Sequence, residues 1–275
     1  MRSAAAGVVT CVLLAAAVDP GYVKSLAQWR TERETKLKAP DSWLAVAGLF
    51  WLHEGPNKVG SDPLSDVVLP AGSARNAGVL TRRGERAEWR PASGGVVQLD
   101  EKSAPATFGS MTLTLIVRAE KVGVRLKDPN ADTRRNFTGL KWYPADPAWR
   151  IRARWFAYAK PRTLPIASVI GVTYQEPSPG YADFAVAGKT YRLEPITEDD
   201  HLFFIFKDQT SSSTTYGAGR YLYAATAKDG FVELDFNKAE NPPCAFTAFA
   251  TCPLPPRQNV LAVAIPAGEM RYGKH

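Results

Sequence analysis

The sequence is poor in the residues that mark familiar catalytic centres. Histidine and cysteine each occur three times in 275 residues. His53, His201 and His275 are scattered, with no His-x-x-x-His or His-Glu-x-x-His spacing, which excludes the common zinc hydrolase arrangement. No Gly-x-Ser-x-Gly elbow is present, so a usual serine hydrolase has no support either. Gly217-Ala218-Gly219 is a lone Gly-x-Gly and not a phosphate-binding loop. Asp128, Asn130 and Asp132 open like a calcium loop. Thr133 and Gly139 then stand where that loop needs glycine and glutamate, and solvated turn chemistry explains the acids. Neither a cofactor nor a bound metal is expected.

Long apolar runs are missing beyond the N-terminus, so no transmembrane span is expected in the mature chain. Charge of one sign does not cluster. Basic and acidic residues interleave despite a formal net charge of +7, so no stripe suits nucleic acid.

The N-terminus itself is apolar. Arg2 precedes the run Ala4 to Ala17, and Ala15-Ala16-Ala17 offers small residues for cleavage. Residues 1–17 therefore read as a secretory signal peptide, with a short uncleaved anchor as the alternative. Export would place the protein in the periplasm or outside the cell. Cleavage removes Cys11 and leaves Cys244 and Cys252, which an oxidising compartment would join in a disulfide closing a short loop.

Asp19-Pro20 has the form of an N-cap and first helical residue. Tyr22, Leu26, Trp29 and Leu37 follow at helical spacing, and Pro40 ends the segment. This predicts a helix over 20–38, within an N-terminal segment 18–40, packed on the first β unit. Arg30, Arg33, Glu34 and Lys36 would face water.

From Trp43 onward the chain turns to short runs of Val, Leu, Trp and Phe punctuated by Gly, Pro, Asp and Ser. Strands are expected at 43–52, 57–60, 66–69, 77–82, 86–90, 95–99, 111–118 and 121–127, a sandwich-like unit over 41–127. Residues 128–149 read as an irregular connection. A second unit over 150–275 carries strands at 150–158, 164–174, 181–187, 189–194, 202–207, 220–226, 231–236 and 260–265. The fold class is mainly β: antiparallel sandwich- or barrel-like units with one N-terminal α-helix. Among the aromatic groups, Trp142-Tyr143 in the connection is the outlier whose exposure would suggest a ligand; core filling is the usual role.

The segments TYGAGRYLY (215–223), LDFNKAENPPCAF (234–246), TCPLPPRQNVL (251–261) and IPAGEM (265–270) resemble a prokaryotic family, the domain of unknown function 1684 (DUF1684). WLAVAGLFWLHEGPNKVGSDP (43–63) and FTGLKWYPADPAWRIRAR (137–154) fit the same family, so the likeness runs through nearly all the mature chain. It implies no mechanism. HEGPNKVGSDPLSDVVLP (53–70) resembles the opening of a forkhead-associated sandwich. Ser61 stands where that family has arginine, and SARNAG (73–78) lacks its histidine, so the resemblance implies architecture and no phosphothreonine reading.

The polar residues that stand out lie between 208 and 241. Three successive strands, with a tight turn at Lys228-Asp229-Gly230, would form a meander. Pairing Thr226 with Phe231 sets Arg220 opposite Asn237. Tyr221 and Tyr223 then share an apolar core face with Val232, Leu234 and Phe236. Asp208, Arg220, Asp235 and Asn237 would converge at one sheet end, with Asn241 close by. An arginine between two aspartates suits a ligand or hydrolytic site, and equally an ion-pair network that pins loops. The Pro-rich segment 241–259 could wall a pocket or cover a sheet edge. Two functions follow: an envelope protein binding a small molecule, glycan or partner component, or a hydrolase-type enzyme using the Asp/Arg/Asn cluster.

Overall fold

The computed structural model describes residues 19–273. The leader expected over residues 1–17 lies outside the described residues. Among the described residues, no helix is long and apolar enough to cross a membrane.

Asp19 caps helix α1 (Pro20–Lys38) by accepting a hydrogen bond from the Gly21 amide at 2.9 Å. Pro20 sits in the first turn, where its missing N–H leaves nothing unpaired. The helix packs differently from expectation. Tyr22 Oη donates to Asp235 at 2.8 Å, Arg30 to the Tyr143 carbonyl at 3.0 Å and Arg33 to Glu269 at 2.9 Å. α1 therefore lies chiefly against the second β unit. Its buried stripe is narrow (Tyr22, Leu26 and Leu37), so the long polar side chains expected in water complete the contact.

A short 3-10 turn, Trp43–Ala45, leads into the first unit. Its strands are β1 (Val46–Trp51), β2 (Gly55–Gly60), β3 (Val67–Val68), β4 (Gly78–Arg83), β5 (Arg86–Pro91), β6 (Val97–Leu99), β7 (Ala106–Phe108), β8 (Met111–Arg118) and β9 (Lys121–Lys127). They form two sheets, ordered β1-β9-β8-β7 and β3-β2-β4-β5-β6. Every pairing is antiparallel except β2 with β3. Alternation along the strands sends Leu80, Ala87, Trp89 and Leu99 from one sheet, and Leu113, Leu115, Val124 and Leu126 from the other, into one core.

Residues 128–149 hold a single turn of helix, α2 (Asp132–Arg135), and a 3-10 turn at Pro147–Trp149. Trp142 is half-buried here, edge-on to Trp29 at 5.7 Å with the Arg30 guanidinium over its ring at 4.9 Å. It fastens α1 to the connection.

The second unit contains β10 (Arg150–Ala167), β11 (Thr173–Val186), β12 (Lys189–Leu193), β13 (Ile196–Glu198), β14 (His201–Phe206), β15 (Arg220–Ala225) and β16 (Phe231–Asp235). Its sheets are ordered β12-β11-β10-β16 and β13-β14-β15. A core of Ala153, Phe184, Leu193, Phe204, Phe206, Leu222, Leu234 and Phe236 joins them.

Three expectations are corrected here. The strand expected at 164–174 is interrupted at Ser168, whose amide bonds the Val172 carbonyl at 2.8 Å. Gly171, at φ +77°, turns the chain back, so β-branched neighbours do not make a strand of this stretch. Residues 260–265 form no strand; Val260 makes one isolated parallel bridge to Lys207. Finally, β16 does not pair with β15. The Lys228–Phe231 turn forms, but β16 then joins β10 with Arg150 opposite Asp235. β15 and β16 thus belong to different sheets and share the core that joins them, which buries Leu222 and Leu234 together.

Candidate functional site

The expected polar cluster is divided among three places. Asp208 and Arg220 do meet, at 2.6 Å, because Phe206 pairs with Arg220 at the end of the β14–β15 ladder. Their side chains are 0% and 1% exposed. Arg220 also donates to the carbonyls of Ile265 and Ala267, and Asp208 accepts from the Thr210 amide and hydroxyl. The pair is a sealed clasp holding the C-terminal strap, residues 265–270, and the Ser/Thr-rich loop 209–215. Burial depresses the Arg220 pKa, and Asp208 opposes that shift by favouring the charged form.

Asp235 and Asn237 lie elsewhere. With β16 in the other sheet, Asp235 takes the Tyr22 hydroxyl and pairs with Lys238 at 3.5 Å, not with Arg220. Asn237 exchanges hydrogen bonds with the Asp146 backbone, tying the connection down. The faces of β15 are also reversed from expectation. Arg220, Leu222 and Ala224 enter the core, whereas Tyr221 and Tyr223 point to the opposite side. The hydrophobicity of the two tyrosines hid this, since either face of β15 could have served as core.

That opposite side borders a cavity of about 570 Å³ at the junction of α1, the first sandwich and the second unit. An adjoining hollow of about 420 Å³ shares Arg33, Tyr223 and Glu240 with it. Asn241, of the five expected residues, lines the main cavity, and the segment after it supplies Pro243, Phe246, Thr251, Cys252 and Pro253. The Pro-rich stretch therefore does wall a cavity.

One end of the cavity holds two arginines, with Glu176 also on its wall. Arg125, on β9, is only 9% exposed, and its Nε and Nη2 atoms are buried with no hydrogen-bond partner among the described residues. Its guanidinium lies over the Trp43 ring at 4.7 Å. Burial, together with the charge of Arg118, pushes its pKa down to about 10. Arg118, at the end of β8, pairs with Glu101 at 2.8 Å and donates to Thr251 at 3.3 Å. Tyr174, on β11, also borders the cavity and keeps a buried hydroxyl with no partner among the described residues.

The other end is acidic. Arg33 of α1 bonds Glu269 at 2.9 Å and Glu240 at 3.3 Å, so one guanidinium serves two carboxylates. Glu269 is fully buried, and its second oxygen accepts the Asn241 amide at 2.7 Å. Burial pushes the Glu240 carboxyl up to about 7, opposed by Arg33, and burial pushes Glu269 upward too. Asn241 is fully buried and its Oδ1 has no partner among the described residues. The cavity also holds an aromatic stack, Phe203 on Tyr223 at 4.7 Å, with Tyr221 edge-on to Phe203 at 4.8 Å.

A family model described as "Protein of unknown function (DUF1684)" matches residues 135–270. The chain belongs to the DUF1684 family. Its DUF1684 region contributes Tyr174, Phe203, Tyr223, Glu240 and Asn241 to the cavity, while Arg33, Trp43, Arg118 and Arg125 come from the preceding residues. An uncharacterized protein from Haloarcula marismortui, solved by solution NMR, is 30% identical over 50% of this chain and 78% of its own, with a TM-score of 0.42. No curated protein matches the chain.

In this DUF1684 protein Cys244 and Cys252 are free thiols, so the expected Cys244–Cys252 bridge is not formed. They are neighbours nonetheless: the Cys244 amide donates to Cys252 Sγ at 3.1 Å, which holds the pair without a covalent bond. Among the described residues, no group of three or more His, Cys, Asp or Glu side chains is placed to hold a metal ion.

Sequence reasoning missed Arg33, Arg118, Arg125, Tyr174 and Glu240. Arg125 left a trace: it is a charge flanked by Val124 and Leu126 in the interior of β9, whose other charges, Lys121 and Lys127, lie at its ends. Glu240 sits beside Asn241 within LDFNKAENPPCAF. Arg33 left none, because a charged residue on an amphipathic helix ordinarily faces water.

Proposed function

We propose that this protein binds a small organic anion in the cavity between its two β units, with Arg125 as the anion's partner. The observation that carries the reading is the unpaired guanidinium. A buried donor without an acceptor costs about 1–3 kcal/mol, and more when it is charged. A fold that keeps such a group at a cavity wall has a use for it, and an acidic ligand would remove the cost. A cavity of about 570 Å³ suits a metabolite-sized molecule. Arg118, Tyr174 and Thr251 add further donors at the same end. The apolar leader at residues 1–17 supports placing this binding protein in the cell envelope or beyond it. The hydrolytic alternative through Asp208 and Arg220 finds less support, since neither side chain meets solvent.

The test is a thermal-shift screen of the purified protein against carboxylates, phosphate esters, sulfates and neutral glycans. A ligand that prefers the native state raises Tm. Acidic compounds should raise it by several degrees, neutral glycans should not, and Arg125→Gln should abolish the response. The ligand-free Arg125→Gln protein should melt no lower than wild type, because the substitution removes an uncompensated charge. Equal responses to a neutral glycan in both proteins would contradict the reading.

A further inference from the structure

The cavity keeps unsatisfied groups of opposite sense in its wall: the Arg125 donors on β9, and the Asn241 acceptor beside Glu240. At the β8–β9 end, Arg118 is paired with Glu101 and Glu176 also lines the wall, but the Nε and Nη2 donors of Arg125 meet no acceptor among the described residues. At the α1 end, Arg33 is shared by Glu240 and Glu269. Glu198 also lines this end, and Lys36 and Glu32 of α1, His201 and Lys238 line the adjoining hollow, which shares Glu240. The orphaned atoms follow the same polarity: guanidinium donors at one end, and the Asn241 Oδ1 acceptor at the other. The rings of Trp43, under Arg125, and of Phe203 and Tyr223 line the same cavity.

We propose that the ligand is bipolar: an acidic head on Arg125 and Arg118, an apolar body against the rings, and a protonated amine on Glu240 and Asn241. This rests on the anion-binding reading and specifies its ligand class as amino-acid-like zwitterions. Glu240 is suited to the amine end because it is held near its titration point. Arg33 is shared with Glu269 and Lys36 acts without a direct ion pair, so an arriving ammonium completes the pairing and draws Glu240 into its charged form. Glu269 cannot take that part, since its oxygens are engaged by Arg33 and the Asn241 amide.

Isothermal titration of the full protein with ω-amino acids, from γ-aminobutyrate to ω-aminooctanoate, tests this against octanoate and octylamine. The best-fitting amino acid should bind about tenfold or more tightly than either one-ended analogue, a difference of about 1.4 kcal/mol. Glu240→Gln should erase that advantage and leave octanoate affinity unchanged, which also shows that the variant is folded. Raising the pH from 6 to 8 should strengthen amino-acid binding, as Glu240 loses its proton, and leave octanoate binding level. If octanoate binds as well as every amino acid and Arg125→Gln abolishes it, the bipolar proposal falls and the anion-binding reading stands. If no acidic probe binds, or Arg125→Gln changes nothing, both fall.

Discussion

Arg220 shows how a charged residue can be part of a core. It shares a strand face with Leu222 and Ala224, yet all its engaged donors reach Asp208 or the carbonyls of Ile265 and Ala267. Removing one member of a buried pair leaves the other charged and unpaired, at a cost of about 3–5 kcal/mol, whereas replacing both with apolar groups is often close to neutral. Arg220→Met should therefore lower stability by that order in urea denaturation, and Asp208→Leu added to it should recover most of the loss. An Arg220→Met protein that unfolds like wild type would instead remove the structural role. The meeting of Asp208 and Arg220 was legible in the sequence, because a two-strand hairpin forces it. The position of Asp235 was not. That required knowing that β16 would leave its hairpin partner for the open edge of β10, a choice made by the core and not by the turn.

Among the elements, the C-terminal strap links this clasp to the cavity. Ala267 accepts from Arg220, Glu269 accepts from Arg33, and Gly268 lies between them at φ +79°. A Cβ on Gly268 would strike the carbonyl oxygens of Ala239 and Phe236. Gly84 also has positive φ, +61°, but a Cβ there meets open space. Gly84→Ala should thus lose only the conformational term, about 1 kcal/mol. Gly268→Ala should lose clearly more, as read by paired thermal melts, and equal losses would dissociate the strap from the core. Local grammar fixed some elements well. β8 and β9 coincide with the expected 111–118 and 121–127, because alternation and a short turn bound them on both sides. It failed at β10 and β11, where the expected strand 164–174 ran straight through the turn. There Val169, Ile170 and Val172 imitate a strand, and one glycine decides the reversal.

At the scale of the whole molecule, the cavity belongs to no single unit. Arg33 comes from the helix, Arg125 from the first sandwich, and Tyr174, Glu240 and Asn241 from the DUF1684 region. Such a site has no spacing to read, because its parts are separated by most of the chain and assemble only when two sandwiches and a helix dock. The fold class followed from strand and turn composition; the site followed from the docking of finished units. The most direct test of the anion-binding claim is a crystal structure with the acidic compound that most raises Tm. Its acidic group should lie about 3 Å from Nε or Nη2 of Arg125. Ligand density elsewhere, with the Arg125 guanidinium still unpaired beside Trp43, would contradict the claim.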